Sequence, residues 1–196
     1  MVRKNTTLSS GVLVTAAALM LAGCAGSDAP GAAVPDASPP SPGVSGFNPV
    51  DVAFATQLIP HHQQALEIAA HAGAQAVGPG VKAVAARIEE ADEPQVAELS
   101  KLLENWGQPA PEDPGIDHGS PTGKLSETEV GRLRSATGAE FDRLFAELMI
   151  KHHQGSVSMA NKQIAEGVNP EAVDLARRVL MAQQAEIAEL EKLRTG

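Results

Sequence analysis

The stretch Met149–Ala160 reads MIKHHQGSVSMA, and Leu58–Ala69 reads LIPHHQQALEIA. Each places a His-His-Gln triplet in the same setting, behind an apolar pair and ahead of apolar residues that return at helical spacing. The echo extends outward in both directions. A shift of 91 residues aligns 51–103 with 142–194 without a gap, and Asp51, Phe54, Ile59, His61, His62, Gln63, Pro79, Arg87, Glu98, Leu99 and Leu102 meet identical residues. Identity at roughly a third of ungapped positions marks an internal repeat.

Each copy reads as a helical hairpin. Asn48 followed by Pro49, with Asp51 in the first turn, signals a helix start, and the pattern predicts a helix over about 49–77. A break at Gly78–Gly80 leads into a second helix over about 80–105. After Trp106 a polar, Pro- and Gly-rich connection precludes regular structure until the capping box Ser126–Glu129 opens a short helix. A third long helix is expected over about 139–167, and a fourth begins at Asn169-Pro170. Two duplicated hairpins predict an all-α chain: an up-down four-helix bundle over 47–196, with repeat 1 at about 48–105, a linker at about 106–138 and repeat 2 at about 139–195. Composition agrees. Apolar residues make up 43% but aromatics only 3%, so aliphatic and Ala side chains fill the core, which favours helices over a sheet sandwich.

The N-terminus carries the compartment signal. Arg3 and Lys4 precede an apolar run, GVLVTAAALMLAG, too short to span a bilayer comfortably. It ends in LAGC at Leu21–Cys24, the small-residue box of a bacterial lipoprotein signal, and Cys24 is the sole cysteine. The reading is a signal peptide over 1–23, lipidation at Cys24, and a disordered Pro/Gly/Ser/Ala tether over 24–46 that holds the bundle off the membrane on its extracytoplasmic side. A net charge of −9 without clustered cations argues against nucleic acid as a partner.

The histidines fall on the apolar side of their helices. Phe54, Leu58, Ala65, Leu66, Ile68 and Ala69 define one stripe, and His61 and His62 lie within it. Phe145, Met149, Val157, Met159 and Ala160 define the other, around His152 and His153. Counting back from each hairpin turn sets Asp92, Glu93 or Gln95 level with His62, and Gln183 or Glu186 level with His153. Buried polar groups cost several kcal/mol unless they are paired. Two readings stay open here: a satisfied polar layer that sets helix register, or a metal site whose imidazoles are oriented by neighbouring carboxylates and amides. Adjacent histidines diverge by about 100° on one helix, so a shared ion would draw one histidine from each half. His71 and the linker His118 read as surface residues. No Glu stands three residues before any His, which argues against a di-iron enzyme, and no nucleophile elbow is present; the chain is expected not to be an enzyme.

The repeated pattern D-x-x-F-x-x-x-[M/L]-I-x-H-H-Q, and GAEFDRLFAELMIKHHQGSVSMA above all, resembles the bacterial "domain of unknown function 305" family of the ferritin-like superfamily. The resemblance covers about 48–194. It implies a secreted or membrane-tethered protein and a transition-metal cargo, copper foremost, carried by His61, His62, His152, His153, Met149 and Met159. Where relatives often carry Met, this chain has Leu58, Ile68, Leu99 and Leu190. A copper site here should therefore lean on the second half, because thioethers select Cu(I).

Overall fold

The computed structural model describes residues 46–111 and 122–195. The expected signal peptide, Cys24, the tether up to residue 45 and His118 lie outside the described residues. Five helices follow in order: α1 Pro49–Gln75, α2 Pro79–Asn105, α3 Glu127–Ser135, α4 Gly138–Glu166 and α5 Pro170–Thr195. Their bounds fall within two residues of those read from the sequence. The helices α1 and α2 form one antiparallel hairpin and α4 and α5 the other; α1 meets α4 and α2 meets α5 where the hairpins pack. Among the described residues no helix is long and apolar enough to cross a membrane.

Helix starts are set by local chemistry. Asn48 Oδ1 accepts from the amides of Val50 and Asp51 at 2.9 and 3.0 Å, and Asp51 returns a bond to Asn48 N at 2.7 Å. Ser126 and Glu129 close the equivalent box on α3. Gly78, at the start of α2, has no side chain with which to cap, and Asp142 of α4 does so from the other hairpin, accepting from Val77 N at 3.1 Å and Gly78 N at 2.6 Å. Asp51 makes the matching reach in the opposite direction, accepting from Val168 N and Asn169 N, each at 3.2 Å. Every one of these partners is 91 residues from its counterpart. Each hairpin thus grips the turn of the other through its first aspartate.

The two grips differ in depth. Asp51 is fully buried and also receives the side-chain amide of Gln163, whereas Asp142 is half-buried. In the sequence Asp51 is a first-turn acid of α1; its tertiary role comes from burial against the α4–α5 turn.

The apolar core is divided. One cluster joins Ile68, Val84, Ile88, Phe141, Phe145, Met149 and Leu190; the other joins Phe54, Leu58, Leu99, Leu103, Met159, Leu175 and Val179. Between them, at mid-height, lie the histidines. Leu66 and Val157, expected in the stripes, are only half-buried. His71, expected at the surface, is also half-buried and packs edge-on against Phe141 at 5.6 Å, because the wide helix–helix seam extends past the stripe centre.

Candidate functional site

All four expected histidines are fully buried. His61 of α1 and His152 of α4, equivalent under the repeat, meet face to face with ring centroids 3.7 Å apart and planes tilted by 34°. His62 and His153 flank this pair, their rings 6.4 and 6.1 Å from His61 and His152. One pair of imidazoles from each half therefore forms a continuous layer across the α1–α4 seam.

The outer members have partners on the returning helices. His62 Nε2 lies 3.0 Å from Gln95 Oε1, and its Nδ1 lies 3.3 Å from Asp92 Oδ2. An amide oxygen can only accept, so Nε2 carries the proton and Nδ1 presents a lone pair. The Asp92 contact then becomes a hydrogen bond only when the carboxyl is protonated; ionised, it leaves both Nδ1 and Oδ2 without one. Burial, and next the nearby Glu186, raise the Asp92 pKa to about 8, in agreement with that assignment. Gln183 donates to Asp92 Oδ1 at 3.4 Å and joins the two halves on the far side of the layer. His153 Nε2 lies 2.9 Å from Glu186 Oε2, at ion-pair distance but off the line of a hydrogen bond. Glu93, the third expected partner of His62, is exposed because its neighbour Asp92 takes the inward position.

The inner pair is less satisfied. His61 Nδ1 lies 3.1 Å from Ser156 Oγ, and the ring also bonds to the backbone of Thr122. His61 Nε2, both nitrogens of His152 and Nδ1 of His153 are buried with no hydrogen-bond partner. Native interiors seldom leave such atoms unpaired. Burial holds the imidazoles of His61 and His152 well below the usual histidine range, with neighbouring histidines adding to the effect; His62 is depressed to about 3, again by burial first. At neutral pH these three rings are uncharged, and the lone pairs of His61 and His152 are available to a metal or a donor.

A strap crosses the inner pair. Residues Thr122–Leu125 run over the α1–α4 seam, with Gln64 clamping Leu125 through two bonds, Nε2 to the carbonyl at 3.0 Å and Oε1 from the amide at 2.8 Å. On α4 the strap lies against bare backbone: a Cβ on Gly155 would meet Thr122 O at 1.9 Å. Gly123, at φ 82°, makes the bend that permits this approach. Ser156, Gln64, Gly155 and the strap were not singled out in the sequence, yet a signal for them exists. After HHQ the halves diverge, with Gln64-Ala65 in one and Gly155-Ser156 in the other, at the positions where the strap sits.

Met149 and Met159, the expected soft ligands, lie in the apolar clusters on opposite sides of the layer. Among the described residues no group of three or more His, Cys, Asp or Glu is preformed to hold a metal ion. The nitrogen donors on offer are those left unpaired on His61, His152 and His153.

The profile of a family described as a domain of unknown function (DUF305) matches residues 51–194, both halves and the whole histidine layer. The chain belongs to the DUF305 family. It is similar to a DUF305 fragment from Deinococcus radiodurans, with 32% identity over 76% of this chain and 97% of that one and a TM-score of 0.69. It is also similar to CopM in its Cu(II)-bound form, with 29% identity over 74% of this chain and 95% of that one and a TM-score of 0.67. A DUF305 protein from Streptomyces coelicolor, assigned as secreted, shares 27% identity over 74% of this chain and 89% of that one, with a TM-score of 0.65. CopM is similar in its Cu(I)-bound and Ag-bound forms as well. No curated protein matches the chain. The ferritin-like, all-helical architecture expected from the sequence is thus that of the DUF305 proteins.

Proposed function

We propose that this DUF305 protein is a non-catalytic carrier or buffer of a transition-metal ion, copper foremost, on the extracytoplasmic side of the membrane. The observation that carries the reading is the inner histidine pair: two fully buried, uncharged imidazoles from opposite halves in contact, with three of their four ring nitrogens unpaired. Such a set fits the donor chemistry of copper, for which neutral imidazole is a common ligand. The likeness to CopM, which has Cu(I)-, Cu(II)- and Ag-bound forms, supports the same cargo. His153 would be the oriented member, with Glu186 beside its Nε2 as outer partners steer metal-ligating histidines elsewhere, while His62, engaged by Gln95 and Asp92 through both nitrogens, would pack beside the site. Met149, three and four residues before His152 and His153 on α4, is the thioether nearest them in sequence.

A second reading has its own support. Asp92, Gln95 and Gln183 already satisfy part of the layer, as a purely structural polar seam would require. Thermal unfolding separates the two. Added Cu(I) or Cu(II) should raise the wild-type stability by about 2.7 kcal/mol at a hundredfold excess over Kd. The His61→Gln/His152→Gln variant should keep its fold and lose most of that increment. A wild-type melting curve unmoved by either oxidation state would leave the structural seam as the answer.

The lipoprotein assignment belongs to the same proposal and rests on the LAGC box and the single cysteine. Cys24→Ala should move the protein from the detergent phase to the aqueous phase in a Triton X-114 partition of expressing cells. Equal partitioning of variant and wild type would refute the anchor.

A further inference from the structure

The geometry points to the strap Thr122–Leu125 as the gate of the histidine layer, so that a metal ion reaches His61 and His152 only when the Gln64 clamp on Leu125 releases. The inference rests on the metal-binding reading above and adds the route of access and its control.

Four observations converge on it. The strap sits over the inner pair: Thr122 bonds to His61 through its backbone, and the charge of Lys124 is felt by both His61 and His152. The remaining sides of the layer are helical. Packed hairpins close two of them, and on the third, where α2 meets α5, Gln183 and Asp92 are bonded to each other. Among the described residues, the strap is the cover that is not a helix and so the one that can lift without breaking a helix. Its attachment is local, two hydrogen bonds to a half-buried glutamine, the Thr122 backbone bond to His61, backbone packing on Gly155 and one buried leucine side chain, against the full length of packing that holds each helix.

The repeat supplies the last argument. Gln64 and Gly155 are equivalent positions, 91 residues apart, and the strap lies between them. A symmetric bundle would present the same side chain on both sides of the seam. Here one side has a clamp and the other has bare backbone that admits Thr122 O. The two halves keep their His-His-Gln triplets, and at the seat of the strap one supplies the amide that clamps Leu125 while the other leaves room for Thr122 O.

The test uses the mature full-length chain and two variants. Gln64→Ala removes both clamp bonds, and Gly155→Ala places a methyl where Thr122 O now lies. Transfer of Cu(I) from its bicinchoninate complex, followed by the chelator's absorbance, reads uptake; transfer back reads release. Each variant should speed uptake and release together by about tenfold, the factor that two modest hydrogen bonds represent, with Kd unchanged within about twofold. In the metal-free protein, deuterium exchange at the imidazole C2 positions of His61 and His152, read by mass spectrometry, should accelerate in both variants. Wild-type rates in both variants would overturn the gate. A weakened Kd with unaltered uptake would do so too, since it would make Gln64 a member of the site. Should the wild type take up no Cu(I), the carrier reading falls, and C2 exchange alone decides the gate: acceleration upholds it and unchanged exchange overturns it.

Discussion

Acidifying this protein from pH 6.5 to 4.5 should lower its stability by up to about 4 kcal/mol, a large part of the stability of a domain of this size. The cause is the buried layer. His62, depressed to about 3, stays neutral in the fold through that window, and burial holds His61 and His152 well below the histidine range, so each of the three binds a proton more readily when the chain unfolds. Groups with depressed folded pKa values of this kind lose stability as pH falls below the unfolded value of 6.5. Asp92 acts in the opposite sense. Its folded pKa of about 8 stands above the unfolded 3.8, so between those values the fold keeps a proton that the unfolded chain has released, and stability falls as pH rises. Three protons taken up against one released leave a net two, or at most about 2.7 kcal/mol per pH unit below 6.5. Above 6.5 the last of the imidazole gain offsets part of the Asp92 loss, so stability peaks just above 6.5 and then declines by about 1 kcal/mol by pH 8.5. Urea melts between pH 4.5 and 8.5 should therefore show a maximum near 6.5. Asp92→Asn, which can donate to His62 Nδ1 as the protonated acid does, should remove the alkaline decline and leave the acid limb. A flat profile across the whole range would contradict the burial of the layer.

Replacing Asp51 with Ala should destabilise the protein by about 4 kcal/mol, against about 1–2 kcal/mol for Asp142→Ala. The residues are equivalent in the repeat, and each caps the opposite hairpin turn. Removal of Asp51 leaves the amides of Asn48, Val168 and Asn169 and the buried Gln163 side chain without their acceptor, around a carboxylate that is itself fully buried. Asp142 is half-buried, and its two amides lie nearer the surface, where water can replace the carboxylate. Chemical denaturation of the two variants side by side reads the difference. Equal losses would mean that the bonds themselves, and not their burial, set the cost.

Much of this was legible in the chain before any coordinates. Asn48-Pro49, Asn169-Pro170 and the Ser126–Glu129 box announce helix starts because orphan amides need acceptors near them in sequence. The 91-residue repeat pairs the helices, and the apolar stripes send His61, His62, His152 and His153 inward because a charged or solvated alternative would leave those stripes exposed. Even the facing residues Asp92, Gln95, Gln183 and Glu186 follow from hairpin arithmetic, since two helices joined by a short turn share height.

Other features were decided by tertiary structure alone. No local rule says that Asp51 reaches across to Val168 and Asn169, because a capping box in one helix carries no information about which turn lies above it. The contact of His61 with His152 depends on how closely α1 and α4 approach, and the rotation that turns His71 half inward depends on the same packing. The strap is the clearest case. Thr122–Leu125 has the composition of any loop, and Gln64 and Gly155 are unremarkable on their own helices. Only packing brings the three together, and only then does the difference between Gln64 and Gly155 acquire a physical reason.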